Sequence, residues 1–451
     1  MNNHKNIALL HTRLKCIDGV SIESEKWIKA YTNLGYCVHL VAGRFGVKTS
    51  RPKLHIPELD FTHPIIRIIK KLAFESKLDK ASKEALNALV NLMSRKIKKE
   101  ILAYVKKHDI HFLSIENAMA IPLNIPLGVA LKELAEESGI PIIARHHDFY
   151  WERKYFYQYD NIPKILNGSF PPKMKNIVHV TISGIANCSL AKKRKIKATT
   201  IPNTIDFKQI KGHDEYNKDF RKNFGIKKNQ IIFLQPTRIT KRKAIERSVE
   251  MVAHMNRLLK LRSVLMITGP SFYGDATYFT KIMRQAKELN VNIILAQDRI
   301  NIKRDKKKGK KIYSMEDAYV NCDVVTFPSE VEGFGNPILE ACAYKKPLFV
   351  NKFPVFNEIN KKNFDFIVMD GKLTPLIINK MKGILKDSLK RDDMVEKNYK
   401  IAKKNYSQQT LETMLLKLLR KSSGGLNKQW KLFLQDMEKR ITIHKESCKD
   451  N

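Results

Sequence analysis

The chain has 451 residues, a hydrophobic content of 43% and a formal net charge of +38. This length and apolar content exclude a wholly disordered chain and suffice for two or three folded domains. Six cysteines without a C-x-x-C pair or a regular spacing to histidines argue against a zinc site and a disulfide framework.

The charge, from 83 basic and 45 acidic residues, suits an anionic membrane surface, nucleic acid or a phosphorylated substrate. The alternative is a general lysine bias, because the basic residues are spread along the chain. The densest run, residues 303–311, predicts a solvated loop. Without a recognisable binding module, a specific nucleic-acid partner is not expected, whereas a weak contact with an anionic membrane stays open.

The compartment is predicted from the apolar runs. The first, Ile7 to Leu10, is too short for the core of a signal peptide, and no run reaches 18 residues. We therefore expect a cytoplasmic protein, with a peripheral position at the inner membrane face as the open alternative.

The first elements alternate between strand and helix. Apolar runs at 6–12 and 37–43 predict buried strands, and the apolar spacing from Ile22 to Asn33 predicts a helix between them. The intervening turn contains Gly19 and Ser21, at the carboxyl end of a strand, where open α/β sheets bind ligands. Ser21 is alternatively a plain N-cap.

A long helical segment follows, from residue 64 to residue 107, with an apolar stripe flanked by lysines. Such a stripe can lie on a membrane surface, but more often it faces the core of its own domain. Its apolar members are Leu86, Leu89, Val90, Met93, Ile97, Ile101 and Val105.

Titratable side chains crowd the end of a later predicted strand, residues 141–145. His146, His147 and Asp148 follow it directly, and Arg153 comes five positions after Asp148. A buried core does not tolerate so many unpaired titratable groups, so this segment predicts a site. Paired histidines can bind a metal, but no third ligand follows at a useful spacing. The alternative is a histidine packed against aromatic rings for structure alone.

A second alternating pattern begins at residue 231, after a polar linker at 208–228. Its first strand is followed by Arg238 and Lys243. Two cations beside a strand-to-helix turn suit a diphosphate, because arginine is a forked donor and lysine a point charge. The alternative is a pair of surface charges. The next strands complete a second doubly wound sheet and are predicted at 264–268, 291–295 and 324–327.

A glycine-rich stretch from Glu332 to Glu340, E-G-F-G-N-P-I-L-E, connects the last of these strands to a helix. The amides of Phe334, Gly335 and Asn336 are expected at the positive end of that helix, close to a ligand. The two glutamates, eight positions apart, can hold hydroxyls at different points of one extended molecule. The stretch therefore predicts a sugar-nucleotide site, and the alternative is an ordinary glycine turn.

This stretch resembles the signature of retaining GT-B glycosyltransferases of the glycosyltransferase family 4 type. The resemblance implies two Rossmann-like doubly wound α/β domains that face a central cleft, with a C-terminal helix that returns to the first domain. We expect an acceptor-binding domain at 1–207, a nucleotide-sugar-binding domain at 208–405, and the returning helix with a basic tail at 406–451. The helix is expected at Leu411–Leu419 or Trp430–Met437.

The resemblance also implies three groups of site residues and no metal or other cofactor. The catalytic group stands beside the reacting sugar and the leaving diphosphate: His147, Arg238, Lys243 and Glu332. The donor-binding group holds hexose, phosphate and ribose: Phe334, Gly335, Asn336 and Glu340. The acceptor or loop group comprises Gly19, Ser21, Asp148 and Arg153. The chain departs from the family pattern in having one glycine in its first turn, Thr204 in the P-N-T-I-D turn, and Ala244 where glycine is common.

A closer likeness is to mannosylglucosylglycerate synthases and their neighbours, through runs at 115–118, 144–153, 235–238 and 332–336. It implies transfer of a hexose from GDP-mannose or a UDP-sugar, with retention, to a small acidic acceptor such as glucosylglycerate. The cations expected to bind its carboxylate are Arg145, His146, Arg153 and Lys154. Two alternatives stay open: a transferase for a lipid or polysaccharide acceptor in cell-envelope synthesis, and a sugar-nucleotide epimerase of the same fold.

Overall fold

The computed structural model describes residues 5–16, 18–269, 276–301, 303–307 and 309–422. The chain forms two compact units. The first contains the chain up to Pro202 together with the segment from Gln408 onward, and the second contains Asn203–Ser407.

The strands are numbered in chain order. They are β1 (Lys5–Leu14), β2 (Tyr36–Phe45), β3 (Lys53–His55), β4 (Ile110–Glu116), β5 (Ile142–His146), β6 (Ile177–Thr181), β7 (Ala198–Thr200), β8 (Ile232–Gln235), β9 (Val264–Ile267), β10 (Asn292–Leu295), β11 (Ile300–Asn301), β12 (Asp305–Lys307), β13 (Lys310–Ser314), β14 (Val324–Phe327), β15 (Leu348–Asn351) and β16 (Ile367–Met369).

The helices are numbered in the same way. They are α1 (Gly19–Asn33), α2 (Pro64–Phe74), α3 (Lys80–Lys107), α4 (Ile125–Ser138), α5 (Pro163–Ser169), α6 (Gly184–Arg194), α7 (Phe220–Asn223), α8 (Ile245–Leu259), α9 (Ala276–Glu288), α10 (Met315–Asn321), α11 (Asn336–Ala343), α12 (Phe356–Asn360), α13 (Pro375–Lys386), α14 (Ser388–Tyr406) and α15 (Gln408–Ser422).

The first unit is built on a parallel sheet with the strand order β3-β2-β1-β4-β5-β6-β7. Apolar residues run continuously along β1 because both faces of the sheet are covered. Ile7 and Leu9 pack in one core cluster, and Ala8 and Leu10 pack in the other. The strand order reverses between β1 and β4, and ligands of open α/β sheets bind beyond the carboxyl ends of strands at such a point.

The start of α1 differs from the prediction. The helix begins at Gly19 rather than Ile22, because Asp18 is the N-cap residue and its side chain accepts a hydrogen bond from the amide of Ser21. The interpretation of Ser21 as the N-cap is therefore wrong.

The apolar stripe of the long helical segment faces the core, as we expected. Leu86, Val90, Ile97 and Ile101 are all buried in α3. Two core clusters receive them: Leu86 and Val90 pack in one, and Ile97 and Ile101 pack in the other.

Helix α15 returns to the first unit. Leu411 and Leu415 are fully buried in the same core cluster as Trp27 and Tyr31. The side-chain amide of Gln408 also donates to the carbonyl oxygen of Lys26 at 2.9 Å. The expected returning helix is confirmed at 411–419, and the other candidate segment, 430–437, lies outside the described residues.

The second unit has a parallel sheet with the order β10-β9-β8-β14-β15-β16. Its strand order reverses between β8 and β14. Each sheet thus has one reversal of strand order. In the second unit, the predicted site residues follow β8 and β14, the two strands on either side of the reversal.

The lysine-rich run at 303–311 is not simply a loop. Its described residues include β12 and the start of β13, which pair antiparallel. The Arg304 guanidinium lies 4.7 Å from the ring centroid of Tyr216 and contacts Asp317, and Lys311 lies 2.8 Å from a carboxylate oxygen of Asp219. Acidic and aromatic partners from other parts of the unit therefore hold these cations in place, and no local pattern predicts those partners.

Candidate active site

Glu116, the last residue of β4, is the centre of the polar cluster in the first unit. Its carboxylate lies 3.4 Å from a guanidinium nitrogen of Arg145 and 3.0 Å from Nε2 of His147. Nδ1 of His11, on the neighbouring strand β1, lies 2.6 Å from its carbonyl oxygen. Burial raises the pKa of Glu116, but the charge of Arg145 and the contact with His147 outweigh burial, and the net pKa is lowered. Glu116 is therefore an anion at neutral pH.

Asn117 holds the turn that carries His147 and Asp148. Its backbone has a positive φ of 57°. The side-chain oxygen of Asn117 accepts from the backbone amide of His147 at 2.9 Å, and its side-chain nitrogen donates to Asp148 at 2.8 Å. Arg153 is ion-paired with Asp148. The predicted residues His147, Asp148 and Arg153 are thus brought together.

Two of the cations expected to bind an acidic acceptor are buried instead. Arg145 has no exposed surface, lies between Glu116 and Glu23, and stacks 4.6 Å from the ring centroid of Trp27. Its charge is thus balanced inside the unit, and the prediction that it meets a ligand is wrong.

His146 is the second buried residue of that predicted group. Its Nε2 lies 2.9 Å from Nδ1 of His179, and neither ring is exposed by more than 4%. Burial lowers the pKa of His146 well below its usual value, so the ring is neutral and cannot serve as an acceptor-binding cation. Arg153 and Lys154 are exposed, and for them the prediction stands untested.

Gly19 and Ser21 lie in the first turn of α1. The Ser21 hydroxyl is buried and lies 3.0 Å from the carbonyl oxygen of Arg13 and 2.9 Å from a carboxylate oxygen of Asp18, either of which can accept its single proton. A Cβ at Gly19 would meet no atom within 4 Å, so close packing does not require glycine there. These contacts anchor the turn, and the assignment of both residues to the acceptor stays a prediction.

In the second unit, Glu332 is surrounded by cations. Its carboxylate contacts Nζ of Lys243 and lies 3.1 Å from a guanidinium nitrogen of Arg242. Lys243 is 8% exposed, and burial lowers its pKa below the usual value. Its Nζ also lies 5.3 Å from the ring centroid of Phe327, at the end of β14. The carboxyl ends of β8 and β14 therefore share one charge cluster.

Arg238, unlike the buried Lys243, is exposed. No ion pair of Arg238 occurs in the part of the chain that the structure describes. The strand end before it is fixed by the buried side chain of Gln235, which donates to Thr237 at 2.8 Å and accepts from Ser248 at 2.8 Å. Arg238 thus projects from a rigid strand end.

Ala244 stands where the family pattern commonly has glycine. It has φ +48°, the left-handed region that favours glycine, and it is fully buried. The turn thus has a backbone conformation suited to glycine, although alanine occupies it.

The glycine-rich stretch adopts the predicted strand, turn and helix. Gly335 has φ +99° and caps α11, which begins at Asn336 with a proline in its first turn. A Cβ on Gly335 would lie 3.0 Å from the ring of Phe353. The Asn203 side chain donates to that of Asn336 at 2.8 Å. Phe334 is 5% exposed, so its ring packs inside the unit and only its backbone remains suited to a ligand.

Glu340 lies in the second turn of α11 and is partly exposed. It accepts a hydrogen bond of 2.5 Å from the hydroxyl of Tyr319. Burial and the neighbouring Glu340 raise the pKa of Tyr319 well above its usual value, so the phenol remains a donor. Tyr344 stacks on Tyr319 with an interplanar angle of 11°. The carboxylate is therefore oriented by a fixed partner.

Sequence reasoning missed several members of these clusters. Glu116 and Asn117 lie in the run I-E-N-A at 115–118, which carries no signal of its own beyond the family resemblance. Arg242 sits beside Lys243 in a chain full of basic residues, so composition hides it. Tyr319 lies 21 residues before Glu340 and carries no local signal.

Two further properties concern metals and membranes. Within residues 5–422, apart from the gaps noted above, no three His, Cys, Asp or Glu side chains come together as metal ligands. None of the described helices combines the length and apolarity needed to cross a membrane.

Comparisons with known proteins identify the family. The family model described as "Glycosyl transferases group 1" matches residues 217–401. The mannosylglucosylglycerate synthase of Petrotoga mobilis is 30% identical over 81% of this chain and 87% of its own length. That of Thermotoga maritima is 28% identical over 91% of this chain and 98% of its own length.

Among solved structures, Anabaena HepE in complex with UDP and glucose covers 93% of this chain and 100% of its own, with 13% identity and a TM-score of 0.62. This likeness and the two parallel α/β sheets define a glycosyltransferase fold of the GT-B class, as predicted. With the Petrotoga relative at 30% identity, the chain belongs to the group 1 glycosyltransferases.

Proposed function

We propose that this glycosyltransferase moves a hexose from a nucleoside diphosphate sugar, GDP-mannose or a UDP-sugar, to a hydroxyl acceptor with retention of anomeric configuration. The observation that carries the proposal is the cation cluster around Glu332 at the carboxyl edge of the second sheet. Negative charge grows on the leaving diphosphate as the glycosidic bond breaks, and fixed positive charges stabilise it.

Arg238 and Lys243 have complementary parts in this proposal. Lys243 is held by Glu332 before any donor arrives, so little ordering is required on binding. Arg238 is exposed and offers a forked donor to the phosphate oxygens. Because these side chains balance the diphosphate, we propose that neither a metal ion nor another cofactor is required.

The remaining donor contacts follow from α11. Its N-terminal amides, next to Gly335 and Asn336, suit the hexose or the phosphates, since a helix N-terminus carries partial positive charge. Glu332 is proposed to orient the hexose. Glu340, oriented by Tyr319, is proposed to accept hydrogen bonds from the ribose hydroxyls.

His147 is proposed to stand beside the reacting sugar. The Glu116 anion lies against its Nε2, so that nitrogen carries a proton. A neutral imidazole in this tautomer can accept a hydrogen bond from a sugar hydroxyl. Asn117 holds the His147 backbone, which limits the movement of the ring.

The proposed acceptor is a small acidic glycoside of the glucosylglycerate type, because both curated relatives are named mannosylglucosylglycerate synthase. The competing hypotheses are a lipid or polysaccharide acceptor and a sugar-nucleotide epimerase.

A product assay separates these hypotheses. Purified protein is incubated with GDP-mannose, UDP-glucose and related donors, with and without glucosylglycerate, and the products are identified by mass spectrometry. The proposal predicts a new glycoside only when donor and acceptor are both present, at a rate that a chelator does not lower. Isomerised sugar nucleotide formed without acceptor would favour the epimerase. Transfer to lipid or polysaccharide acceptors alone would favour the envelope hypothesis.

A further inference from the structure

A second feature of the first unit is an open pocket of about 590 Å³ at the carboxyl ends of β2 and β3. It is distinct from the Glu116 cluster but belongs to the same edge of the same sheet. Its polar lining residues are Arg44, Lys53, His55, Asp60, Thr62 and His63.

The pocket is built around the close approach of a turn to β2. A Cβ on Gly43 would lie 1.9 Å from the backbone nitrogen of Asp60, so only glycine permits this approach. Asp60 is 4% exposed, and its carboxylate is shared by Nε of Arg13 at 3.0 Å and Nε of Arg44 at 2.7 Å. The Thr62 hydroxyl accepts from both guanidinium groups at 3.1 Å. The arrangement fixes the orientation of Arg44.

Positive charge exceeds negative charge in this pocket. Among the described residues, Asp60 is the only carboxylate that lines the pocket, and two arginines already share it. Lys53 is exposed, lies 5.5 Å from the ring centroid of Phe45, and has no ion pair among the described residues. Arg44 keeps 55% of its side chain exposed although its Nε is bound. A pocket that holds a fixed arginine and an unpaired lysine against one carboxylate suits an anion.

The two histidines add hydrogen-bonding capacity. Nε2 of His55 lies 2.9 Å from the carbonyl oxygen of Gly43, which leaves Nδ1 for a ligand. Nδ1 of His63 is buried and makes no hydrogen bond within the described residues. The exposed His55 ring can therefore accept a hydrogen bond from a ligand hydroxyl through Nδ1.

The pocket is connected to the Glu116 cluster through one turn and one strand. Asn124, which lines a small cavity beside His11 and Asn117, donates to the carbonyl oxygens of Glu58 and Leu59 at 2.7 and 3.0 Å. These two residues directly precede Asp60. Arg13 also lies two residues beyond His11 on β1, roughly 7 Å at the usual strand rise. One small glycoside can span such a distance.

We propose that this pocket binds the carboxylate of an acidic acceptor, with Arg44 and Lys53 as the principal cations and Asp60 as the residue that positions Arg44. This pocket assignment rests on the proposed function. It adds the residues that select an acidic over a neutral acceptor. This pocket, and not the buried Arg145 and His146, is then the place where the carboxylate binds.

The test measures the ratio of kcat/KM for glucosylglycerate to kcat/KM for its neutral methyl ester, with one donor. Arg44→Gln and Lys53→Gln should each lower this ratio about ten- to a hundredfold, the scale of losing a charged hydrogen-bond partner. Arg44→Lys should restore part of the loss. The matched controls Arg95→Gln and Lys99→Gln, at exposed positions of α3, should leave the ratio unchanged.

Calorimetric titration with glucosylglycerate in the absence of donor gives a second readout, and circular dichroism checks that each variant is folded. If the wild type prefers the acidic acceptor while Arg44→Gln and Lys53→Gln keep its ratio and affinity, the pocket assignment is wrong and the proposed function stands. If the wild type shows no preference, both the acidic acceptor and the pocket assignment fail. If the variants lose binding to anionic phosphatidylglycerol vesicles but keep the acceptor ratio, the pocket is a membrane contact and the proposal is overturned.

Discussion

Glu332 and Lys243 form an ion pair at the carboxyl edge of the second sheet, although 89 residues separate them in the chain. The pair unites the first strand-to-helix turn of this unit with its glycine-rich turn. Two motifs that the sequence presents separately are therefore one structure.

Substitution of the cations tests the donor half of the site. Arg238→Ala and Lys243→Ala should each lower kcat/KM, because a hydrogen-bond donor to the leaving group is lost. The loss should correspond to an increase of about 2 to 4 kcal/mol in the activation barrier. Steady-state kinetics with the donor varied measures this effect. Lys380→Gln removes a solvent-exposed partner of Asp365 and is the matched control, expected to have wild-type kinetics. Wild-type kinetics in both site variants would refute the assignment.

The two glutamates should have separable effects. Glu340→Ala should chiefly raise the donor KM, because a ribose contact is made equally in ground and transition states, whereas Glu332→Ala should chiefly lower kcat through misplacement of the hexose. Tyr319→Phe removes the hydroxyl that orients Glu340 and should raise the donor KM in the same direction, but less. Reversed effects of the two glutamate variants would show that their roles are exchanged.

The Glu116 cluster predicts a difference between activity and stability. Glu116→Gln should lower the free energy of unfolding by roughly 3 kcal/mol or more, because it removes a charge partner of the buried Arg145. His147→Gln should lower kcat at least tenfold while the unfolding free energy changes by less than about 1 kcal/mol, since His147 is at the edge of the cluster. Urea unfolding and kinetics on the same preparations measure both quantities. A His147→Gln variant with full activity would mean that the ring is structural only.

The His146 and His179 pair predicts acid sensitivity. Burial lowers the pKa of His179 from 6.5 to about 4. Between these values the unfolded chain binds a proton that the folded chain does not, so stability is lost as pH falls from 6.5 to 4, by up to roughly 1.4 kcal/mol per pH unit. Above pH 6.5 this contribution is constant. Urea unfolding at several pH values should show that the free energy of unfolding falls less between pH 6.5 and 4 for His179→Asn than for the wild type. An equal fall in both proteins would contradict the prediction.

Helix α15 should stabilise the first unit. Leu415→Ala deletes a fully buried side chain and should cost about 2 to 5 kcal/mol of unfolding free energy. Leu376→Ala replaces a leucine that is 80% exposed and should change the unfolding free energy by less than about 0.5 kcal/mol. Comparable small effects of both variants would mean that α15 does not contribute to this core.

Much of the fold could be predicted because its signals are local. Apolar runs identified both sheets, and the glycine-rich turn identified the start of α11, where Gly335 needs a positive φ. What failed depended on distant partners: Arg145 and His146 stand in a polar run that looks exposed, yet Glu23 and His179 bury them. The lysines at 303–311 resemble a loop until Asp219 and Tyr216 are seen beside them. Local pattern carries no information on such partners, which lie tens of residues or more away in the chain.

One measurement tests most directly whether the second unit holds a nucleotide sugar whose hexose is transferred with retention. The protein is incubated with GDP-mannose or a UDP-sugar and glucosylglycerate, and the new linkage is assigned by NMR. The expected product is a disaccharide glycoside with the same anomeric configuration as the donor, and its yield should be greatly reduced in Lys243→Ala. A product with inverted configuration, or donor conversion without any transfer, would contradict it.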